Sequence, residues 1–247
     1  MHRAPVRGLL GLLLATISLI SVHAYPSTHP PFPFKTKAPY RSLSVKPVID
    51  YNYPATFTDG DLRIETAKVS EDQVTTRVSV GVKVLLDTAK DSPDLPAPDG
   101  SRVFYTDLTG DGRKDILVYA YPGSNGLGAS IEVADLLIAQ PDGTYYHESF
   151  EAYAASPQDF IDVNGDGRYE MLWVNYYFEG DHSYWVYRVV EIGDDGLRLN
   201  DQLIPDFPKI IWFTEKPNDQ PTQKLTLAEH EDLIRQSTAK WQGENSR

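Results

Sequence analysis

Two stretches of this chain repeat one arrangement of oxygen-bearing side chains: Asp107-Leu-Thr-Gly-Asp-Gly-Arg-Lys-Asp115 and Asp162-Val-Asn-Gly-Asp-Gly-Arg-Tyr-Glu170. Positions 1, 3, 5 and 9 of each carry a carboxylate, carboxamide or hydroxyl, and positions 4 and 6 are glycine. On alternate residues of a tight loop, Asp107, Thr109 and Asp111 turn inward, as do Asp162, Asn164 and Asp166. Arg113 and Arg168, at position 7, offer their backbone carbonyls, and Asp115 and Glu170 close the loops. An all-oxygen set of this kind suits a hard cation, and calcium accepts six to eight oxygens at about 2.3–2.6 Å. Crowded carboxylates repel one another, and a bound cation relieves that repulsion. Two calcium ions are therefore expected, one per loop. Each loop departs from the ideal once: the Thr109 hydroxyl is a weaker donor than the Asn164 carboxamide, and Glu170 is one methylene longer than Asp115. A helix–loop–helix calcium site is excluded, because it needs an acid at position 12, where this chain has Val118 and Trp173.

The elements that must hold these loops read as strands. Leu62-Arg-Ile-Glu-Thr alternates, and Val74 to Leu86 carries valines at 78, 80, 82 and 84, which predicts one long half-buried strand. Further strands are expected at Val103-Phe-Tyr, Ile116–Tyr121, Ile131–Ala139, Tyr145-Tyr146, Met171–Phe178, Tyr184–Ile192, Leu197–Leu199 and Ile210–Phe213, separated by Gly, Pro and Asp-Gly turns. One helix is expected at 227–241. Thr226 and Glu229 form its capping box, and Leu227, Leu233, Ile234 and Trp241 face a sheet. Residues 105–121 match 160–176 at an offset of 55, and Leu136–Gly143 matches Val189–Gly196 at 53. The internal repeats thus span about 103–143 and 158–196, each an all-strand unit. Thr58-Asp-Gly-Asp61-Leu-Arg-Ile looks like a worn third copy.

The ends read differently. Residues 1–24, with Arg3 and Arg7 before the apolar run Gly8–Val22 and small residues at Val22 and Ala24, look like a signal peptide cut before Tyr25. Fifteen apolar residues are short for a membrane span, which needs about 17–25. Residues 25–47 hold six prolines and read as a flexible or extended arm, 48–242 as one β-rich domain, and 243–247 as a fraying tail. Export to the periplasm or the medium of a bacterium follows, with no membrane span once the leader is removed. The chain has no cysteine, so disulfides contribute nothing to it. Without the leader, 21 basic residues face 35 acidic ones, a formal charge of −14. Such a balance argues against nucleic acid, which needs a basic face.

Other chemistry is poorly supplied. His29, His147, His182 and His230 make no pair at metal-ligand spacing, and no Gly-x-Ser-x-Gly elbow occurs. Gly123-Ser-Asn-Gly126-Leu-Gly128 lacks the lysine and hydroxyl of a phosphate loop and reads as a hairpin. The aromatics Trp173, Tyr176, Tyr177, Phe178, Tyr184, Trp185 and Tyr187 either pack between sheets or form a platform for a polysaccharide or protein partner. A glycan hydrolase would need two carboxylates across a cleft, whereas the visible acids are better used as ligands. The expected function is a non-catalytic calcium-binding structural or interaction protein.

The acidic loop running directly into a strand resembles the FG-GAP and VCBS repeats, over residues 103–121 and 158–178. The resemblance implies blades of an integrin-alpha-like β-propeller with calcium in a strand-connecting loop. It implies side-chain ligands at Asp107, Thr109, Asp111 and Asp115, then at Asp162, Asn164, Asp166 and Glu170, with carbonyl donors at Arg113 and Arg168. Complete propellers have at least four blades, and two copies are clear here. The expected fold is mainly β: antiparallel sheets resembling propeller blades in a partial or small propeller, or alternatively a β-sandwich, with one C-terminal helix.

Overall fold

A computed structural model describes residues 40–70, 73–91, 101–120, 131–153, 157–179, 182–212 and 225–244. Residues 1–24, expected as a leader, most of the proline-rich segment, His29 and residues 123–128, expected as a hairpin, lie outside the described residues. In chain order the strands are β1 (Arg41–Ser42), β2 (Ile49–Asp50), β3 (Ala55–Asp59), β4 (Leu62–Ser70), β5 (Gln73–Val80) and β6 (Lys83–Asp87), followed by one helical turn, α1 (Thr88–Asp91). Next come β7 (Ser101–Thr106), β8 (Asp115–Ala120), β9 (Ile131–Ala139), β10 (Tyr145–Tyr153), β11 (Phe160–Asp162), β12 (Glu170–Glu179), β13 (His182–Gly193), β14 (Gly196–Leu199) and β15 (Lys209–Trp212). Helix α2 (Leu227–Glu244) ends the described chain.

Three antiparallel four-strand meanders account for most of this: β3 to β6, β7 to β10, and β11 to β14. The first is a sheet by itself, β2 adds to the edge of the second at β7, and β1 adds to the edge of the third at β11. Strand β13 is long enough to take two partners on one edge: β14 pairs with Val190–Gly193, and β15 with Tyr184–Tyr187. The fold is thus mainly β, three antiparallel sheets with a C-terminal helix, and each meander has the strand order of a propeller blade.

Alternation within the strands explains how the sheets stack. The β7–β10 sheet is apolar on both faces. Val103, Ile116, Val118 and Leu137 pack against Leu62, Ile64, Val78 and Leu86 of the first sheet. Phe104, Leu117, Tyr119, Leu136 and Ile138 pack against Phe160, Met171, Trp173, Val190 and Ile192 of the third. The far face of the third sheet is covered by Leu203, Ile204 and Phe207, from the segment that leads into β15. The far face of the first sheet carries the exposed Arg63, Ala67 and Arg77. The middle sheet is therefore the interior layer, which is why its strands read as nearly continuous apolar runs.

Four local readings differ from the sequence expectation. Val74–Leu86 is a hairpin and not one strand. Gly81 adopts φ +55°, a turn conformation that L side chains avoid, and Val82 at the tip is fully exposed. A period of two survives the turn, so periodicity alone misses it. Leu227 is 75% exposed, and the helix buries Leu233, Ser237 and Trp241, four residues apart. The helix also runs to Glu244, into the segment expected to fray. Its start is as read: Thr226 N and Oγ1 donate to Glu229 Oε2 at 2.6 and 2.8 Å, and Glu229 N donates to Thr226 Oγ1 at 3.3 Å. The end of the arm belongs to the domain, because β1 pairs with β11 and Leu43 N donates to Phe160 O at 2.8 Å. No helix among the described residues is long and apolar enough to cross a membrane, which says nothing of a β-barrel.

Candidate metal centre

The first acidic loop joins β7 to β8, and the second joins β11 to β12, so each connects the first two strands of its meander. In the first meander that connection is only the Gly60-Asp61 turn between β3 and β4, with Gly60 at φ +56°. The segment that reads in sequence as a worn third copy thus lies at the equivalent place, as a tight hairpin.

Both acidic loops fold around the same internal hydrogen bonds. The position-1 carboxylate lies under the loop and accepts from positions 4 and 6. Gly110 N and Gly112 N donate to Asp107 at 2.7 and 2.8 Å, and Gly165 N and Gly167 N donate to Asp162 at 2.7 and 3.2 Å. The position-5 carboxylate accepts from position 7: Arg113 N to Asp111 at 2.7 Å, and Arg168 N to Asp166 at 2.8 Å. The closing carboxylate accepts from position 2: Leu108 N to Asp115 at 2.8 Å, and Val163 N to Glu170 at 3.1 Å. Positive φ at Gly110, Gly112, Gly165 and Gly167 lets the amides converge in this way.

The closing carboxylates are buried. Asp115 has no exposed surface, and its carboxyl is pushed up to about 6. Burial is the main cause, amide hydrogen bonds from Ala139, Leu108 and Thr109 work against it, and the Asp111 charge adds to it. Glu170 is 3% exposed and is pushed up to about 7, again first by burial, with Asp166 and Asp162 adding repulsion. Thr109, at position 3, is 1% exposed, and its hydroxyl oxygen has no hydrogen-bond partner. Asn164, its counterpart, is exposed and occupied: Asp166 N donates to its Oδ1 at 3.0 Å, and its Nδ2 donates to Asp166 Oδ2 at 3.0 Å.

The donor chemistry fits a hard cation. A carboxylate has about four acceptor sites, so the amide bonds leave oxygens with capacity to spare. A buried hydroxyl without a partner and two buried carboxyls whose charge is opposed by their surroundings would all be relieved by a cation. Among the described residues, no three His, Cys, Asp or Glu side chains stand converged as a metal group. Oxygen donors such as hydroxyls and backbone carbonyls, on which a calcium site also depends, are not part of such a group.

The sequence did not reveal that the two loops touch. Tyr169 N, in the second, donates to Leu108 O, in the first, at 2.9 Å. A Cβ at Gly110 would lie 2.7 Å from Gly167 O, so the backbones abut. Around them, Arg113 pairs with Asp111 and its Nε donates to Ala139 O at 3.0 Å. Arg41, on β1, lies 3.6 Å from Asp162 and over the Tyr169 ring.

One constellation was missed because it comes from two strands paired in register, with Ser149 opposite Asp135. His147 Nε2 lies 2.9 Å from the buried Asp135 Oδ1, Ser149 Oγ donates to the same oxygen, and Ser149 Oγ is 3.3 Å from His147 Nε2. A serine–histidine–aspartate relay uses opposite ring nitrogens for acid and nucleophile. Here one nitrogen meets both, so the cluster gives a buried carboxylate its donors. Among the aromatics, Trp173, Tyr184 and Tyr187 are core residues, whereas Tyr176 and Trp185 are half-buried and meet edge to face at 5.3 Å. No protein-family model matches the chain, and no curated protein matches it either.

Proposed function

We propose that this chain is an exported, non-catalytic calcium-binding protein in which two ions brace the strand-connecting loops of neighbouring sheets. The observation that carries the reading is the recurrence, 55 residues apart, of one hydrogen-bonded loop frame closed by a buried carboxylate. The chain's own donors are Asp107, Thr109, Asp111, Asp115 and the carbonyl of Arg113 in one loop. In the other they are Asp162, Asn164, Asp166, Glu170 and the carbonyl of Arg168. Calcium would add the charge that these groups lack. The residues around it hold the amides, exclude water from Asp115 and Glu170, and fix the edges of β8 and β12. A protein or polysaccharide partner is the expected recipient of the surface braced in this way.

Calorimetric titration of the purified chain with calcium, with thermal melts in calcium and in chelator, tests this. Two ions per chain and a higher melting temperature in calcium are expected, both lost in the Asp111→Ala, Asp166→Ala double variant. No heat and no change of melting temperature at millimolar calcium would sink the proposal.

A further inference from the structure

We infer that the two loops work as one coupled two-ion centre, in which filling either loop raises the affinity of the other; this rests on the calcium reading above. Two separate contacts connect the ligand positions. In the first, Asp115 holds Leu108 N at 2.8 Å, Leu108 O accepts Tyr169 N at 2.9 Å, and Tyr169 is bonded directly to Glu170. The two closing carboxylates are thus joined through two residues. In the second, Asp107 holds Gly110 N at 2.7 Å, Gly110 abuts Gly167 O, and Gly167 N is held by Asp162 at 3.2 Å. The two position-1 carboxylates are thus joined through the touching glycines.

A cation that orders Asp107 and Asp115 fixes Gly110 and Leu108, and with them Gly167 and Tyr169. The second cation then meets a loop already in place and loses less conformational entropy on binding, which is positive coupling without a change of shape. Repulsion between two dications opposes this. It is offset by the six carboxylates of the two loops, whose combined charge exceeds that of both ions. Thr109, whose buried hydroxyl has no partner, is the residue that joins Leu108 to Gly110, the two residues of the first loop that make these contacts.

The test is calcium titration of the full chain and of two single variants, Asp111→Ala and Asp166→Ala. Coupling predicts that the product of the two wild-type binding constants exceeds the product of the two single-site constants by about tenfold, within the usual 5- to 150-fold range. Two glycines locate the route. Gly110→Ala and Gly112→Ala impose the same kind of backbone strain, at φ +71° and +87°, but only the first meets the other loop. The excess should fall toward one on the Gly110→Ala background and persist on the Gly112→Ala background. An excess of one or less in the wild type overturns the coupling and leaves two independent calcium sites. Equal loss with both glycine variants overturns the contact as its route. Absence of calcium binding by the wild type removes the calcium reading itself, and the coupling with it. Should an alanine variant melt before it can be titrated, Asp111→Asn and Asp166→Asn keep the volume and serve in its place.

Discussion

The two acidic loops share a frame but are supported differently. The first is anchored within its own sheet. Asp115 holds the amides of Leu108 and Thr109 in the loop and Ala139 N, at 2.9 Å, at the end of β9. The Arg113 side chain bonds to the carbonyl of the same Ala139. The second loop has one amide, Val163 N, on its closing side chain. It leans on its neighbours instead: on Leu108 O through Tyr169, and on Arg41 from the arm. At position 3 the contrast is sharper, with a buried hydroxyl left unpartnered in the first loop and an exposed carboxamide bonded at both ends to Asp166 in the second. One spacing of oxygen-bearing side chains is therefore supported in two ways: in a loop anchored within its own sheet, and in one that leans on its neighbours.

The largest effect that can break this contrast is loss of the closing side chain. Asp115→Ala leaves three amides without their acceptor, which costs on the order of 3–5 kcal/mol, or about 10 °C of melting temperature for a domain of this size. Glu170→Ala frees one and should cost about 1–3 kcal/mol. Equal losses in thermal melts would show that the first loop is no better anchored.

Proton linkage comes next. Both closing carboxyls have folded values above their unfolded ones, about 6 for Asp115 and about 7 for Glu170. The folded state then binds more protons than the unfolded state, so stability is lost as pH rises. In chelator, the penalty is absent below the unfolded value near 4 and complete above about 7. Denaturant melts in chelator should thus show higher stability at pH 5 than at pH 7.5. Calcium binds the ionised form and should flatten or reverse that slope. A slope that rises with pH in chelator contradicts the burial argument for both loops.

The glycine pair follows. Gly112→Ala should cost about 1–2 kcal/mol, for a left-handed backbone with a side chain. Gly110→Ala should add about 1–3 kcal/mol of overpacking against Gly167. Matching melts for the two would mean that the loops do not press on each other. Smallest is Thr109→Val, which removes a hydroxyl that has no partner. Its stability in chelator should stay within about 1 kcal/mol of the parent, while calorimetry shows weaker calcium binding at the first loop. A large loss of stability in chelator would show that the hydroxyl has a structural partner and is not held for a cation.

Much of the architecture was legible because period-two alternation and turn residues are local signals. Ile131–Ala139 and the capped start of α2 were read as they stand. Alternation also placed Trp173 and Tyr177 on one face and Tyr176 on the other, but it could not say which face another layer would cover. The hairpin at Gly81 was hidden because a tight turn preserves the period. The Asp135–His147–Ser149 cluster was hidden because register across two strands, not spacing along one, brings it together.

By itself, the sequence determined the two nine-residue loops, their oxygen-bearing side chains and their glycines, since a loop of this size is shaped by its own amides and side chains. It also determined the repeating meander, since strands and tight turns follow from neighbouring residues. Only the tertiary structure decided that Asp115, Glu170 and Thr109 are buried, because burial depends on sheets that stack from distant parts of the chain. Only stacking, too, set one loop against the other. Leu108 and Tyr169 are 61 residues apart in sequence, and they meet because the second and third meanders pack face to face on a shared core.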